Sequence, residues 1–560
     1  MKRLSLAAIA LLGCLGMAAQ PNPGSLVPDT PSKAPDYYCT WNIQGFVCSY
    51  SFGRGSNDLR AEMNEDNLFG RSIVHPGDEF QVKDNEGKPF TVKVQPDYKG
   101  WLYHYPSIQK DLFFVMDDSW DIPIDANSKR PHGNNYDNEF LARLVLDGSR
   151  FPTYQGGTDA ANMRRLVQDV KKIGWKGLGG WVCMQDPICL TQEYTGLENN
   201  RENSMKWTEN QEKSFWTKKL AEMKEAGFSY WKLDWGNKDR NDKFRANLSK
   251  WQEATYPGLI MEHAMKNQYI TFSNTFRTYD VDNNDAQAET IKRIVSLLSY
   301  KADPGYGIIN CEDEPYIAAG LGCAIGVMRH PFVGDKPNGK PDAYFQEQNA
   351  KERNIKHRLN EIVRGVRWHR IAEPFRVDGE FKADAVKLFE SGAGGKRSGR
   401  TSEAPAIVSR HLPLPVVKGG GENRPFVLAS LYDNGCTAVA AINRNIEGVY
   451  QKQKVSVTVE PQRWDRKVGI FGYYKSLTLK YQDGLPDGAF KVYAQDLAVD
   501  GSPVDITGKV KISKGSITLP GAVIEELCKG HDYPYTEVKK QADRSYFDVS
   551  DPGIVLLVVK

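Results

Sequence analysis

The stretch FSYWKLDWGNKD, residues 228–239, is an apolar, aromatic run that stops at a lysine, one intervening residue and an aspartate. Residues two apart on a strand share a face, so the run predicts a buried strand carrying Lys232 and Asp234 together at its C-terminal end. Just before it, QEKSFWTKKLAEMKEAG (211–227) sets Phe215, Met223 and Ala226 on one helical face and stops at Gly227. The unit upstream repeats the device: AANMRRLVQDVKKIG (160–174) is a helix with Met163, Leu166, Val167 and Val170 inward, and WKGLGGWVC (175–183) is the strand after it. Downstream, YPGLIMEH (256–263), TFSNTFRTYDV (271–281), GYGIINC (305–311) and GCAIGVM (322–328) read as further strands, with AQAETIKRIVSLLSY (286–300) as a helix among them. YYCTWNIQGF (37–46) and DLFFVMDDSWD (111–121) are the first two strands. Eight mostly apolar strands with helical connections fit a parallel sheet covered on both faces and closed into a (β/α)8 barrel. An open doubly wound sheet would carry a nucleotide-binding turn, and none is visible. Residues 51–110, including the hairpin-like EFQVKDNEGKPFTVKVQ (79–95), form an insertion between the first two strands.

The texture changes at ESGAGGKRSGR (390–400). Short β-rich runs follow, among them FVLASLYD, CTAVAAINR, KVSVTVEP, KVYAQDL and GIVLLVVK, separated by turn residues. The expected plan is a barrel over 36–395 and an antiparallel β-sandwich over 396–560 in a supporting role. Ahead of the barrel, QPNPGSLVPDTPSKAP (20–35) reads as a linker. The first 19 residues have a basic start at Lys2 and Arg3, an apolar run from Leu4 to Leu15 and small residues Ala18 and Ala19 before Gln20. That is the pattern of a secretory signal peptide and implies export. Lipidation at Cys14 is the rival reading, and the apolar residues continuing past Cys14 count against it. No later stretch is apolar enough to span a membrane.

The chain has 560 residues, with 73 Lys and Arg against 70 Asp and Glu. This balance gives no basic face for nucleic acid or a membrane surface. Aromatic residues make up 11%, with 12 Trp and 26 Tyr, and many sit beside carboxylates near strand ends, which suits sugars better than phosphates. After the leader, eight cysteines remain at 39, 48, 183, 189, 311, 323, 436 and 528. Cys39–Cys48 and Cys183–Cys189 are close enough to be disulfides in an exported protein, and buried free thiols are the equal alternative. Their spacing does not suggest a zinc site, and no cofactor is expected.

Reactive groups of such a barrel sit at the C-terminal strand ends. Read in order, these are Trp41; Asp117, Asp118 and Trp120; Trp181 and Cys183; Lys232 and Asp234; Glu262 and His263; Arg277 and Asp280. Any one acid is compatible with a bland role: Asp234 or the Asp117–Asp118 pair as a helix N-cap, Glu262 or Asp280 in a loop ion pair. Their recurrence at four consecutive strand ends, interleaved with Lys232, Arg277 and tryptophans, favours a neutral polyol ligand. Carboxylates accept from its hydroxyls and rings pack on its C–H face. Lys232 beside Asp234 is expected to keep that carboxylate ionised.

The ordered set FFVMDDSWD, FPTYQGGTDAANMRRLVQDVKKIGWKGLGGWV, YWKLDWG and FRTYDVDNN resembles the retaining α-galactosidases and α-N-acetylgalactosaminidases of the clan that includes the melibiases. The likeness covers the barrel and implies roles. Asp234 matches the nucleophile and Asp280 the acid/base, with Asp282 as a rival for the second role. Asp117, Asp118, Lys232 and Arg277 match hydroxyl-binding positions. Trp41 and Trp181 match aromatic positions of the same subsite. Glu262 matches the position that tests the sugar's second substituent, where an acid favours galactose over N-acetylgalactosamine. LIMEHAMKN and GIINCEDEPYI depart from the family's fifth- and seventh-strand patterns, Asp313 being a loose counterpart in the latter. The implied activity is removal of terminal α-linked galactose from an α-galactoside oligo- or polysaccharide. The alternatives are an α-N-acetylgalactosaminidase or β-L-arabinopyranosidase of the same clan, a raffinose-synthase-like transglycosylase, and a non-catalytic carbohydrate-binding protein.

Overall fold

The structure, a computed structural model, describes residues 23–41, 43, 63–70, 79–83, 89–93, 100–117, 120–124, 139–278, 287–329, 358–391, 401–446, 449–531, 533 and 550–560. The expected leader, Cys14, Cys48, Asp118, Asp280 and Asp282 lie outside them.

Eight strands close a barrel: β1 Tyr37–Cys39, β2 Phe113–Met116, β3 Gly177–Val182, β4 Tyr230–Leu233, β5 Ile260–His263, β6 Thr275–Arg277, β7 Ile308–Glu312 and β8 Ala324–Val327. Each pairs in parallel with its sequence neighbour, and β8 closes on β1. Each falls on one of the apolar runs picked out above, β7 running one residue past its run to Glu312, because a strand covered on both faces needs an apolar stretch. The longer helices around the barrel are α1 Asp159–Ile173, α2 Glu209–Ala226, α3 Asp242–Thr255, α4 Gln287–Leu298, α5 Pro315–Leu321 and α6 Leu359–Trp368. Thr158 caps α1 by accepting from the Ala161 amide, Thr208 and Gln211 form a capping box on α2, and Gly227 ends α2 at φ 74°. Within the insertion, Glu79–Lys83 and Pro89–Lys93 pair as the expected antiparallel hairpin.

Phe381–Ala383 pairs with Ile407–Arg410 in the sheet of the C-terminal region. An eight-stranded and a five-stranded sheet enclose a core that includes Val427, Val439, Ile470, Leu477 and Leu556. The sandwich is mixed rather than antiparallel. Ile407–Arg410 runs parallel to Phe426–Leu431, Thr437–Ile442 to Val468–Gly472, and Val455–Val459 to Tyr474–Lys480. Local sequence carries a strand's periodicity but not its partner, so direction was not readable.

The two domains share buried contacts. Gly320 of α5 sits so close to the sandwich that a Cβ there would lie 2.9 Å from Leu428 Cβ. Arg364 of α6 grips Asp496 at 2.8 and 2.9 Å. The expected linker also lies on this junction: Leu26 and Val27 are buried, the Leu26 amide donates to Gln495 at 2.7 Å, and the Ser32 amide donates to Asp111 at 2.8 Å. Its Pro- and Ser-rich composition concealed two apolar anchors. Cys39, Cys183 and Cys189 are free thiols, which removes both expected disulfides. No helix of the described residues is long and apolar enough to cross a membrane.

Candidate active site

Strand alternation decides which side chains enter the barrel. Lys232 pairs with Trp181 on one side and Glu262 on the other, Arg277 with Asn310, and Gly326 with Tyr37, so these residues share the inward face. Two glycines make room for the larger groups. A Cβ on Gly179 would lie 2.5 Å from Tyr230 Cβ, and one on Gly326 would lie 2.8 Å from Asn310 Oδ1.

Asp234 follows β4 at the mouth, with its side chain 17% exposed. Trp181 Nε1 donates to Oδ2 at 2.9 Å, and Arg277 Nη2 donates to Oδ1 at 2.6 Å. Its backbone is fixed as well: its amide donates to Val182 O at 3.1 Å, and Arg245 Nη2 donates to its carbonyl at 2.7 Å. The helix-cap reading is excluded, because α3 starts at Asp242 under Asn241, which accepts from the Phe244 amide at 3.0 Å. The chain turns away at Gly236, whose φ of 153° and distance of 2.3 Å from a built Cβ to Met184 O leave no space for a side chain. Met184 stitches the two loops together: its amide donates to Trp235 O at 3.0 Å, and its carbonyl accepts from Lys238 N at 2.8 Å. Lys238 Nζ bridges Asp186 and Glu212 beneath this turn. Trp181 and Trp235 meet edge to face with centroids 5.5 Å apart.

One layer deeper, Lys232 Nζ donates to Asp117 Oδ2 at 3.0 Å, and the Cys39 thiol donates to the same oxygen at 3.0 Å. Asp117 Oδ1 has no hydrogen-bond partner among the described residues. Burial pulls the Lys232 ammonium down, but the Asp117 charge outweighs it and holds the ammonium well above the ordinary lysine value. Burial, reinforced by Asp117, pushes the Cys39 thiol up, so it remains a donor. Breaking so buried a pair by removing one partner costs about 3–5 kcal/mol.

Beside this pair, Glu262 Oε2 accepts from Tyr230 at 2.7 Å and from Asn310 at 2.8 Å. Glu262 Oε1 lies 3.4 Å from Arg277 Nη1. Glu312 Oε1 accepts from Tyr37 at 2.7 Å and lies 3.8 Å from Arg277 Nε. Burial raises Glu262 above the ordinary glutamate value, with Arg277 opposing. Burial also opposes the Arg277 charge, yet Asp234, Glu312 and Glu262 together hold it well above the ordinary arginine value.

The layering corrects one expectation. Lys232 does not pair with Asp234; two residues along a strand span about 6.6 Å, and its partner is Asp117 instead. Glu262 is fully buried, one layer below Asp234, with its carboxylate engaged by Tyr230, Asn310, Tyr37 and Arg277. Arg277 and Trp181, expected to touch the ligand, are 2% and 1% exposed and grip Asp234. Trp41 is half-buried and packs against the inward cluster of Tyr37, Cys39 and Tyr230. Tyr37, Asn310 and Glu312 were missed. Tyr37 begins its strand rather than ending it, and only the parity of IINCE sets Glu312 inward among three neighbouring acids. Asp313 turns aside at φ 51° and accepts from the Met328 and Arg329 amides at 2.8 and 3.1 Å.

No protein-family model and no curated protein matches the sequence. Among solved structures, the chain is similar to a β-L-arabinopyranosidase from Geobacillus stearothermophilus at 10% identity and TM-score 0.41, over 94% of this chain and 97% of that one. It is similar to an α-galactosidase from Saccharomyces cerevisiae with raffinose at 10% identity and TM-score 0.35, over 95% and 97%. An Anoxybacillus α-amylase matches at 9% identity and TM-score 0.33, over 87% and 98%.

Proposed function

We propose that this chain is an exported, retaining exo-glycosidase that removes terminal α-linked galactose by a two-aspartate double displacement. The observation that carries the reading is Asp234: a carboxylate at the barrel mouth, one oxygen on an indole N–H and the other on a guanidinium. A nucleophile needs its approach angle fixed, and two donors on two different strands fix it.

Asp234 attacks the anomeric carbon and forms a glycosyl ester. Asp280 protonates the leaving oxygen, then takes a proton from the water that frees the sugar. Asp280 lies outside the described residues; its role comes from its position shortly after Arg277 in the segment resembling the family's acid/base motif. Two inversions at C1 give net retention. Galactose is favoured by the same resemblance, in which Asp117 and Asp118 match positions that accept from the sugar's hydroxyls. A site with such an acceptor disfavours an epimer that leaves it unpaired. Export rests on the basic, apolar, small-residue order of the first 19 residues.

The test is hydrolysis of a panel of aryl α- and β-glycosides, with the product anomer followed by NMR. The reading expects the α-galactoside to be cleaved best and α-galactose to appear first. Preference for another glycoside overturns the substrate, and first appearance of the β-anomer from that α-galactoside overturns the mechanism.

A further inference from the structure

Three carboxylates surround the single guanidinium of Arg277. Nη2 donates to Asp234 at 2.6 Å, Nη1 lies 3.4 Å from Glu262, and Nε lies 3.8 Å from Glu312. Of the other cations nearby, Lys232 is taken by Asp117 at 3.0 Å, and Arg245 donates to the Asp234 carbonyl at 2.7 Å. The two glutamates share the Tyr37 hydroxyl, at 2.7 Å from Glu312 and 3.5 Å from Glu262. Both are fully buried, as is Tyr37.

Anchoring one buried arginine requires one carboxylate. A second and third add desolvation cost without adding a cation, so stability alone does not account for them. Chemistry does. A guanidinium facing Asp234 alone would orient it, but would also stabilise its anion and weaken its attack on carbon. Countercharges on the far side of the guanidinium relieve that effect and keep the orientation.

We propose that Glu312, together with Glu262, is a positioning residue for Asp234 that acts through Arg277: it anchors the guanidinium and balances its charge, so that Asp234 is held without being quenched as a nucleophile. This rests on the reading of Asp234 as the nucleophile. Among the described residues, the groups facing the two glutamates include Tyr37 of β1, Tyr230 and Lys232 of β4, Arg277 of β6 and Asn310 of β7. Asp234 itself faces Trp181 of β3, Arg277, and Arg245 of α3, with Asp239 nearby in the loop. Burial holds Glu262 above its ordinary value, while Arg277 and Lys232 oppose the rise.

The experiment is the pH dependence of kcat/KM for Glu312→Gln and Glu262→Gln, on whichever aryl glycoside the panel identifies as the best substrate. Removing a negative charge behind Arg277 favours the ionised nucleophile. The acidic limb should therefore move to lower pH by about one unit, and kcat should fall about tenfold as the nucleophile weakens. A loss of kcat with the acidic limb unmoved is the signature of a merely structural role, and it overturns the proposal; so does a limb moved to higher pH. If Glu312→Gln does not fold, Glu262→Gln carries the same expectation and the same refutation. Asp234→Ala, run alongside, separates the two failures. Activity surviving there removes the nucleophile reading, and the inference with it. An inactive Asp234→Ala with an unmoved limb in Glu312→Gln removes the inference alone.

Discussion

Replacing Trp181 by Phe tests the grip on Asp234 with the least disturbance elsewhere. The substitution keeps an aromatic ring but deletes the N–H that donates to Oδ2 at 2.9 Å. A hydrogen bond to a charged acceptor contributes about 1.5–3 kcal/mol. If most of that acts in orienting the attacking oxygen, kcat/KM falls by about 10- to 100-fold. The loss stops short of complete, because Arg277 still holds Oδ1 at 2.6 Å. The cost to stability is smaller. Asp234 is 17% exposed, so water can take the vacated place, and the lost ring volume of roughly 40 Å³ costs about 1 kcal/mol. The assay is steady-state hydrolysis of an aryl α-galactoside, with a thermal melt to establish that the variant is folded. A folded Trp181→Phe enzyme within twofold of the wild type would mean that the indole N–H is not what holds Asp234 for attack.

Asp234→Ala should abolish hydrolysis, whereas Asp280→Ala should retain more activity on aryl glycosides with good leaving groups than on raffinose-like substrates; equal losses on both would count against Asp280 as the acid. Gly236→Ala should cost more than 2 kcal/mol and most of the activity, because the new Cβ meets Met184 O at 2.3 Å and must push the turn carrying Asp234 and Trp235; wild-type melting and turnover would contradict this. Burial raises Asp313 from 3.8 to about 6, so the unfolded chain sheds that proton first and the folded state loses stability as pH rises between about 4 and 6. Asparagine keeps the Oδ1 acceptor and does not titrate, so Asp313→Asn should gain on the wild type across that interval by up to roughly 3 kcal/mol. Melts at low and neutral pH check it, and a variant that loses ground as pH rises speaks against it.

The barrel was legible in the sequence because each strand is buried on both faces and must be apolar along its length. The expected site residues among the described ones were legible for a related reason: Trp41, Asp117, Trp181, Lys232, Asp234, Glu262 and Arg277 all share the inward parity. What could not be read was depth and partnership. Lys232 and Asp234 share a face, yet the partner of each lies across strands: Asp117, 115 positions away, and Arg277, 43 positions away. Glu262 ends its strand as Asp234 does, but the parallel register sets it one layer lower, against Lys232. The same ignorance of pairing made the second domain look antiparallel, and composition alone made a linker of a segment that Leu26 and Val27 pin to the domain junction.

As the proposed nucleophile, the Asp234 carboxylate forms the covalent bond to the sugar. A fluorinated α-galactosyl donor that accumulates the glycosyl ester, followed by proteolysis and mass spectrometry, tests it most directly. One added glycosyl group is expected, on the peptide containing Asp234 and at that residue. A label on any other residue would contradict it.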